Sequence, residues 1–344
     1  MNKIFSDFLG WSCDNEWGSE ETAEISLENG TQLSVWDSGV LEVTPATPVG
    51  HKDIILSCAV HGNETAPIEI CRDIINDIIS EKQTVTHRTL FLIANPASIN
   101  KGERFVEENM NRLFSGAHSK GDTNNKERER AAKIEGYVER FYLSAPEGPR
   151  QRLHYDLHTA IRDSKREKFA VYPFTHGAPY SRHQLQFLLA CGVDTVLLNQ
   201  APTTTFSYFS VRQFNAQAFT VELGKVRPFG ENDRTKFAAA EKTLRQLLAE
   251  VELDFGPFEP EKHYVFKEAQ TINRTQQDFE LNFADDAANF TSFDKGDLLA
   301  RDGDKNHYAQ HNGEHIIFPN AKVALGHRAL LTVVKIPTES LDLF

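Results

Sequence analysis

An apolar run from Ile54 to Val60 halts at His61-Gly62-Asn63-Glu64, and a helical pattern starts at once, with Ile68, Cys71, Ile75, Ile78 and Ile79 recurring at helical spacing. A buried strand, a tight polar loop and a helix in that order commit the stretch to a strand–helix layer. The alternation continues from about residue 50 to 250. It predicts strands at Ile54–Val60, Thr89–Ala94, His154–His158, Phe169–Tyr172, Thr195–Asn199 and Ala218–Leu223. Helices are expected at Thr65–Ser80, Lys126–Ser144, Arg182–Cys191 and Arg234–Val251. Strands and helices in alternation specify an α/β fold.

The two ends of the chain read differently. Residues 1–48 carry a short helical start, Ile4 to Leu9. Three alternating runs follow (Ala23–Leu27, Thr31–Trp36, Val40–Thr44), with a hairpin turn at Glu28-Asn29-Gly30. Past Asp254-Phe255-Gly256-Pro257 the pattern turns to short β-like runs, Lys262–Ala269, His315–Phe318 and Ala329–Val334, separated by Gly, Asp and Asn turns. The expected division is an N-terminal β-meander over 1–48, an α/β catalytic domain over 49–255 and a smaller C-terminal β-domain over 256–344. Asn124 or Asn125 is placed to cap the helix that follows. The mixed-sign run KERER, Lys126–Arg130, reads as a solvated helix face.

Composition narrows the function. A net charge of −12 over 344 residues argues against nucleic-acid binding, which needs a basic surface. It leaves room for an anionic substrate, because a few local arginines outweigh distant charge over a screening length of roughly 8 Å. No apolar run approaches the ~20 residues of a membrane span. Met1-Asn2-Lys3 leads into a mixed segment without an apolar signal region, and the four cysteines are scattered. The expectation is a cytoplasmic protein with reduced thiols, Cys58 and Cys71 serving as small buried apolar residues. No feature bears on oligomeric state.

Three segments could complete a site around His61 and Glu64, which alone also read as a plain polar turn. In Leu153-His154-Tyr155-Asp156-Leu157-His158, strand alternation puts His154, Asp156 and His158 on one face and the apolar residues on the other. His158, last in the strand, lies where α/β sheets place ligands. His154 fits a supporting or buried role better. Two histidines and one carboxylate leave a fourth position of a zinc ion open, as catalytic sites do. In Phe219-Thr220-Val221-Glu222-Leu223-Gly224, Glu222 reads equally as an exposed strand end or, beside zinc, as a general base. Arg104, Asn111 and Arg112 could grip a carboxylate or polarise a carbonyl, or could be surface residues. Arg162 offers a further carboxylate contact or a solvated place in RDSKREK.

HGNE at His61–Glu64, NR at Asn111–Arg112, DLHTA at Asp156–Ala160 and VELG at Val221–Gly224 occur in the order found in zinc carboxypeptidase-like enzymes. The chain most resembles the succinylglutamate desuccinylase/aspartoacylase family, through motifs spread over residues 50–225. The resemblance implies a mixed sheet flanked by helices. It also implies one zinc per subunit on His61, Glu64 and His158, with Glu222 as catalytic glutamate. Arg104 would then polarise the scissile carbonyl, and Asn111 with Arg112 would hold a substrate carboxylate. The implied reaction is hydrolysis of a small anionic N-acyl amino acid. N-succinyl-L-glutamate, in arginine breakdown, stands first; another N-acyl amino acid such as N-acetylaspartate, a peptide C-terminus, or binding without turnover are the alternatives. One departure is visible: Asn109 stands where the family often has an Asp that orients a zinc-bound histidine.

Overall fold

The computed structural model describes residues 2–47, 49–121 and 124–344. Two short helices, α1 (Lys3–Ser6) and α2 (Phe8–Asp14), precede a meander of β1 (Ala23–Ser26), β2 (Gln32–Asp37) and β3 (Val40–Thr44). Then come β4 (Lys52–Cys58), α3 (Thr65–Ile79), β5 (Arg88–Ile93), α4 (Pro96–Lys101), α5 (Lys126–Leu143) and β6 (Gln151–Ala160). The layer continues with β7 (Phe169–Tyr172), α6 (Arg182–Ala190), β8 (Thr195–Leu198), α7 (Phe206–Phe214), β9 (Gln217–Lys225) and α8 (Arg234–Ala249). The last part is β: β10 (Tyr264–Asn273), β11 (Glu280–Leu281), β12 (Thr291–Phe293), β13 (Leu298–Asp302), β14 (Lys305–Tyr308), β15 (Glu314–Ile317) and β16 (Arg328–Ile336).

Thirteen of these strands form one mixed sheet in the order β1-β2-β3-β5-β4-β6-β9-β7-β8-β10-β16-β15-β12, with β11, β13 and β14 in a small second sheet. β4 pairs in parallel with β5 on one side and β6 on the other. The chain leaves β4 through α3 toward β5 and later returns to β6 on the opposite side, so the carboxyl end of β4 is a topological switch point. There the connections diverge and open a crevice for a ligand.

Each central strand is buried on both faces. Leu153, Tyr155 and Leu157 of β6 join Ile54, Leu56, Phe219 and Val221 in one apolar layer, against Ile68, Cys71 and Ile75 of α3 and Leu244 of α8. The opposite layer packs Ile55, Leu90 and Leu92 under Ile134, Val138 and Phe141 of α5 and Phe206 and Phe209 of α7. His154, Asp156 and His158 point into this second layer, sharing its face with Ile55 and Ser57 of β4 through the register Ile55↔His154 and Ser57↔Asp156. Sequence alternation and structure agree here, because a parallel pair in register keeps both strands' pleats in phase.

The run Lys126–Arg130 departs from its reading as a solvated face. Glu127 and Arg130 are buried. Spaced three apart on the inner side of α5, they meet partners that only the fold supplies. Arg130 bonds the carbonyls of Ala94 and Ser38 and pairs with Asp37 at 3.1 Å. Asn125 caps α5 by accepting from the Arg128 N–H at 2.9 Å. No helix among the described residues is long and apolar enough to cross a membrane, and all four cysteines are free.

Candidate metal centre

β4 ends at Cys58, and Ala59 turns the chain with a left-handed φ of 57°. The following loop is pressed against the start of α4: a Cβ on Gly62 would lie 2.1 Å from the Ser98 carbonyl carbon and 2.2 Å from the Ile99 nitrogen. Only glycine fits, so the loop carrying His61 and Glu64 is held by contact of backbone with backbone. Glu64 occupies the N-cap position of α3 but makes no side-chain capping bond, which frees its carboxylate. The positive end of the helix dipole favours an anion there.

His61, Glu64 and His158 offer ligand atoms within 4.8 Å of one another, all three residues buried. His158 Nδ1 lies 2.9 Å from one Glu64 oxygen and His61 Nδ1 lies 2.9 Å from the other. The far nitrogen of each ring is already engaged. His158 Nε2 faces Asp156 at 2.8 Å, and His61 Nε2 faces the Asn109 side-chain carbonyl at 3.0 Å. Asn109 therefore meets the histidine that an Asp would orient, as an uncharged acceptor.

Electrostatics concentrate at this point. Burial alone would raise the Glu64 carboxyl, but the charges of His61 and His158 outweigh it and hold it well below the usual range. Burial likewise opposes a charged His158, yet Asp156 and Glu64 on its two sides raise its pKa well above 6.5. His61 goes the other way, pushed down to about 4 by desolvation and then by Arg104. Despite its closeness to Glu64, His61 Nδ1 makes no hydrogen bond, so it is a buried polar atom aimed at the cluster without a partner. Such an orphan together with a two-histidine, one-carboxylate donor set fits a divalent transition metal, zinc among them.

β9 delivers Glu222. The register sets His158 opposite Glu222, side by side on one face, and the ladder shifts immediately beyond this pair. The strand itself runs on to Lys225, so Glu222 is not a solvated strand end: it is buried, and its Oε2 has no hydrogen-bond partner. Desolvation, then the charge of Glu64, push its pKa up to about 7.

Arg104 donates to Glu64 at 2.7 Å and keeps 30% of its side-chain exposure, so it borders both the cluster and solvent. Its loop is held from beneath by Glu127, whose carboxylate accepts from the N–H groups of Val106, Glu107 and Glu108. Asn111 is buried and accepts from the Phe206 N–H at 2.9 Å, fastening the same loop to the start of α7. Arg112 keeps a solvent-accessible edge. Desolvation by surrounding protein, then the like charges of Arg328 and Arg104, push its pKa down to about 9. Arg162 turns elsewhere: its Nη1 donates to the carbonyls of Asp285 and Ala287, tying the loop after β6 to the C-terminal region.

Two contributors escaped the sequence reading. Arg328, the first residue of β16, brings a second guanidinium besides that of Arg104 within electrostatic reach of Arg112 and is itself lowered by burial. Nothing local distinguishes it from any other strand-end arginine. Helix α7 also went unseen, because four of the nine residues of FSYFSVRQF are aromatic, a type that favours strands. Its flanking signals were present in Thr205 at the N-cap and in Asn215 as a left-handed C-cap.

Residues 50–248 match the model of the succinylglutamate desuccinylase/aspartoacylase catalytic domain, and residues 261–336 match that of the AstE/AspA barrel-sandwich hybrid domain. The chain belongs to the succinylglutamate desuccinylase/aspartoacylase family. Within the family it is 85% identical, over the full length of both chains, to a curated succinylglutamate desuccinylase of Idiomarina loihiensis. It is 50% identical to that of Shewanella denitrificans over 97% of each chain. The crystal structure of the Vibrio parahaemolyticus succinylglutamate desuccinylase superposes with a TM-score of 0.87 at 40% identity, covering 96% of this chain and 95% of that one.

Proposed function

We propose that the chain is a zinc-dependent amidohydrolase that cleaves N-succinyl-L-glutamate to succinate and L-glutamate, a reaction of arginine breakdown in a reducing cytoplasm. The observation that carries the chemistry is the pairing of His158 with Glu222 across β6 and β9, which stands a partnerless carboxyl beside the His61–Glu64–His158 cluster. The names of its 85% and 50% identical relatives support the choice of substrate.

His61 and His158 through Nδ1, and Glu64 through its carboxylate, would hold the zinc. When bound, zinc supplies Lewis-acid polarisation of the amide carbonyl and lowers the pKa of water toward ~7. Glu222 takes a proton from the water that attacks the succinyl carbonyl, then hands it to the departing glutamate nitrogen. A carboxyl buried without a partner and balanced near neutrality can do both. Arg104 offers its guanidinium to the oxygen that gains charge as the carbonyl becomes tetrahedral. The substrate's three carboxylates meet a positive patch in an acidic protein: Arg112 and Arg328, with Asn111 fixing the loop that presents Arg112. Arg162, the further candidate for a substrate carboxylate, donates to the carbonyls of Asp285 and Ala287 in the substrate-free chain.

Comparing initial rates on N-succinyl-L-glutamate, N-acetyl-L-aspartate and a blocked dipeptide tests the assignment. Succinylglutamate should exceed both others by at least roughly 100-fold, the scale of one lost charged contact. A preference for acetylaspartate would move the chain to an aspartoacylase-like activity, and a preference for the dipeptide would make it a carboxypeptidase.

A further inference from the structure

Behind the metal centre lies a line of buried polar side chains that the reaction itself does not use. Ser210 on α7, His154 on β6 and Ser57 on β4 sit in the α5–α7 layer, each without solvent exposure. His154 Nδ1 is 2.8 Å from the Ser210 hydroxyl, and His154 Nε2 is 2.8 Å from the Ser57 hydroxyl. Ser57 Oγ is 2.5 Å from one oxygen of Asp156, whose other oxygen meets His158 Nε2 at 2.8 Å. We propose that this chain, Ser210–His154–Ser57–Asp156, is a positioning device that fixes the ring of His158 so that Nδ1 is the nitrogen presented to the metal. The inference rests on the reading of His61, Glu64 and His158 as metal ligands.

Donor counting gives the chain a single direction. Asp156 meets a different donor on each carboxyl oxygen, the Ser57 hydroxyl on one and His158 Nε2 on the other, so it stands as the acceptor at the end of the chain. Ser57 has one proton and must give it to Asp156. Its oxygen can therefore only accept from His154, which places the His154 proton on Nε2. Desolvation keeps that ring neutral, with a pKa of about 4, so Nδ1 bears a lone pair and Ser210 must donate to it. At the other end, both oxygens of Asp156 are committed, one to Ser57 and one to His158 Nε2–H. A rotated or flipped His158 would leave Asp156 half-satisfied in the core, where an unmet charged acceptor is expensive. The edge of Phe206 against the His154 ring, centroids 4.5 Å apart, keeps the middle of the chain from swinging.

The chain joins three elements, so it also explains why α7 and β4 matter to a ligand on β6. Ser207, three residues from Ser210 on the same helix and equally buried, bonds Thr220 at 2.8 Å instead and lies off the chain. It is a matched control.

The experiment is chelator competition for zinc on purified full-length protein, alongside ring-nitrogen NMR of histidine in the zinc-loaded form. Ser57→Ala should weaken zinc binding roughly 10- to 100-fold, the usual scale for groups that orient metal ligands. It should also disturb the His158 Nε2–H signal. Ser210→Ala should weaken binding several-fold and Ser207→Ala not at all, although both remove one buried hydroxyl hydrogen bond. His154→Gln, whose amide can donate to Ser57 and accept from Ser210, should bind zinc more tightly than His154→Phe. Wild-type zinc affinity in Ser57→Ala and Ser210→Ala overturns the positioning role while leaving the metal centre intact. A wild-type protein that takes up no zinc overturns the metal centre and the chain's purpose together.

Discussion

Gly62 and Arg328 show how much of the site depends on single residues outside its chemistry. Replacing Gly62 with Ala puts a methyl carbon on the Ser98 and Ile99 backbone, and the loop must move because helix α4 cannot yield. We expect Gly62→Ala to lose roughly 1–3 kcal/mol of stability from overpacking, read by urea unfolding, and to bind zinc more weakly than wild type. Wild-type zinc affinity would mean that the loop has slack absent from the structure. Arg328 stands apart from the cluster but within the electrostatic reach of Arg112. Arg328→Gln should raise KM for succinylglutamate roughly 10- to 100-fold, as loss of a charged hydrogen bond does, with kcat changed far less. A fall confined to kcat would place Arg328 in the chemical step instead of in substrate capture.

At the scale of elements, the site is a meeting of strand ends held by packing from two helices. α5 reaches across the layer with Glu127 to collect three consecutive N–H groups of the loop bearing Arg104. Glu127→Gln would turn an amide N–H toward those donors. The expected loss is roughly 1–3 kcal/mol in urea unfolding together with a raised KM; an unchanged KM would show that the loop orders itself. The strand, loop and helix around His61 were legible because the run from Ile54 to Val60 is apolar but for Ser57 and α3 has a clean helical repeat, and the polar trio of β6 because alternation dictates its face. Two readings failed for lack of local signal. Glu127 and Arg130 look solvated within a mixed-charge run, and only the Asp37 carboxylate, the carbonyls of Ser38 and Ala94 and the loop over 106–108 make their burial affordable. Helix α7 carries strand-like residues, and tertiary packing of Phe206 and Phe209 overrides that propensity.

Across the whole molecule, one sheet runs from the N-terminal meander through the catalytic strands and on into β10, β16, β15 and β12. The change of sequence pattern near 254–258 was readable, but β10 pairing with β8 was not, since strand partners distant in sequence leave no local trace. The same holds for Arg328, which only this continuity brings near Arg112. Global stability should carry a histidine signature. Burial holds His87 and His154 at about 4, below the 6.5 of the free side chain. Between those values the unfolded chain binds more protons than the native one, so stability is full above pH 6.5 and falls as pH drops toward 4. Urea midpoints should decline across this window, and His87→Gln should flatten the decline; an unchanged slope would show that His87 is protonated when folded. The central claim, that the His61–Glu64–His158 cluster holds zinc while Glu222 moves the proton, is tested most directly by Glu222→Gln, with zinc content and succinylglutamate turnover measured on the same sample. The variant should retain one zinc per chain and lose roughly 10²- to 10⁴-fold in kcat, whereas zinc-loaded protein with wild-type turnover would contradict the account.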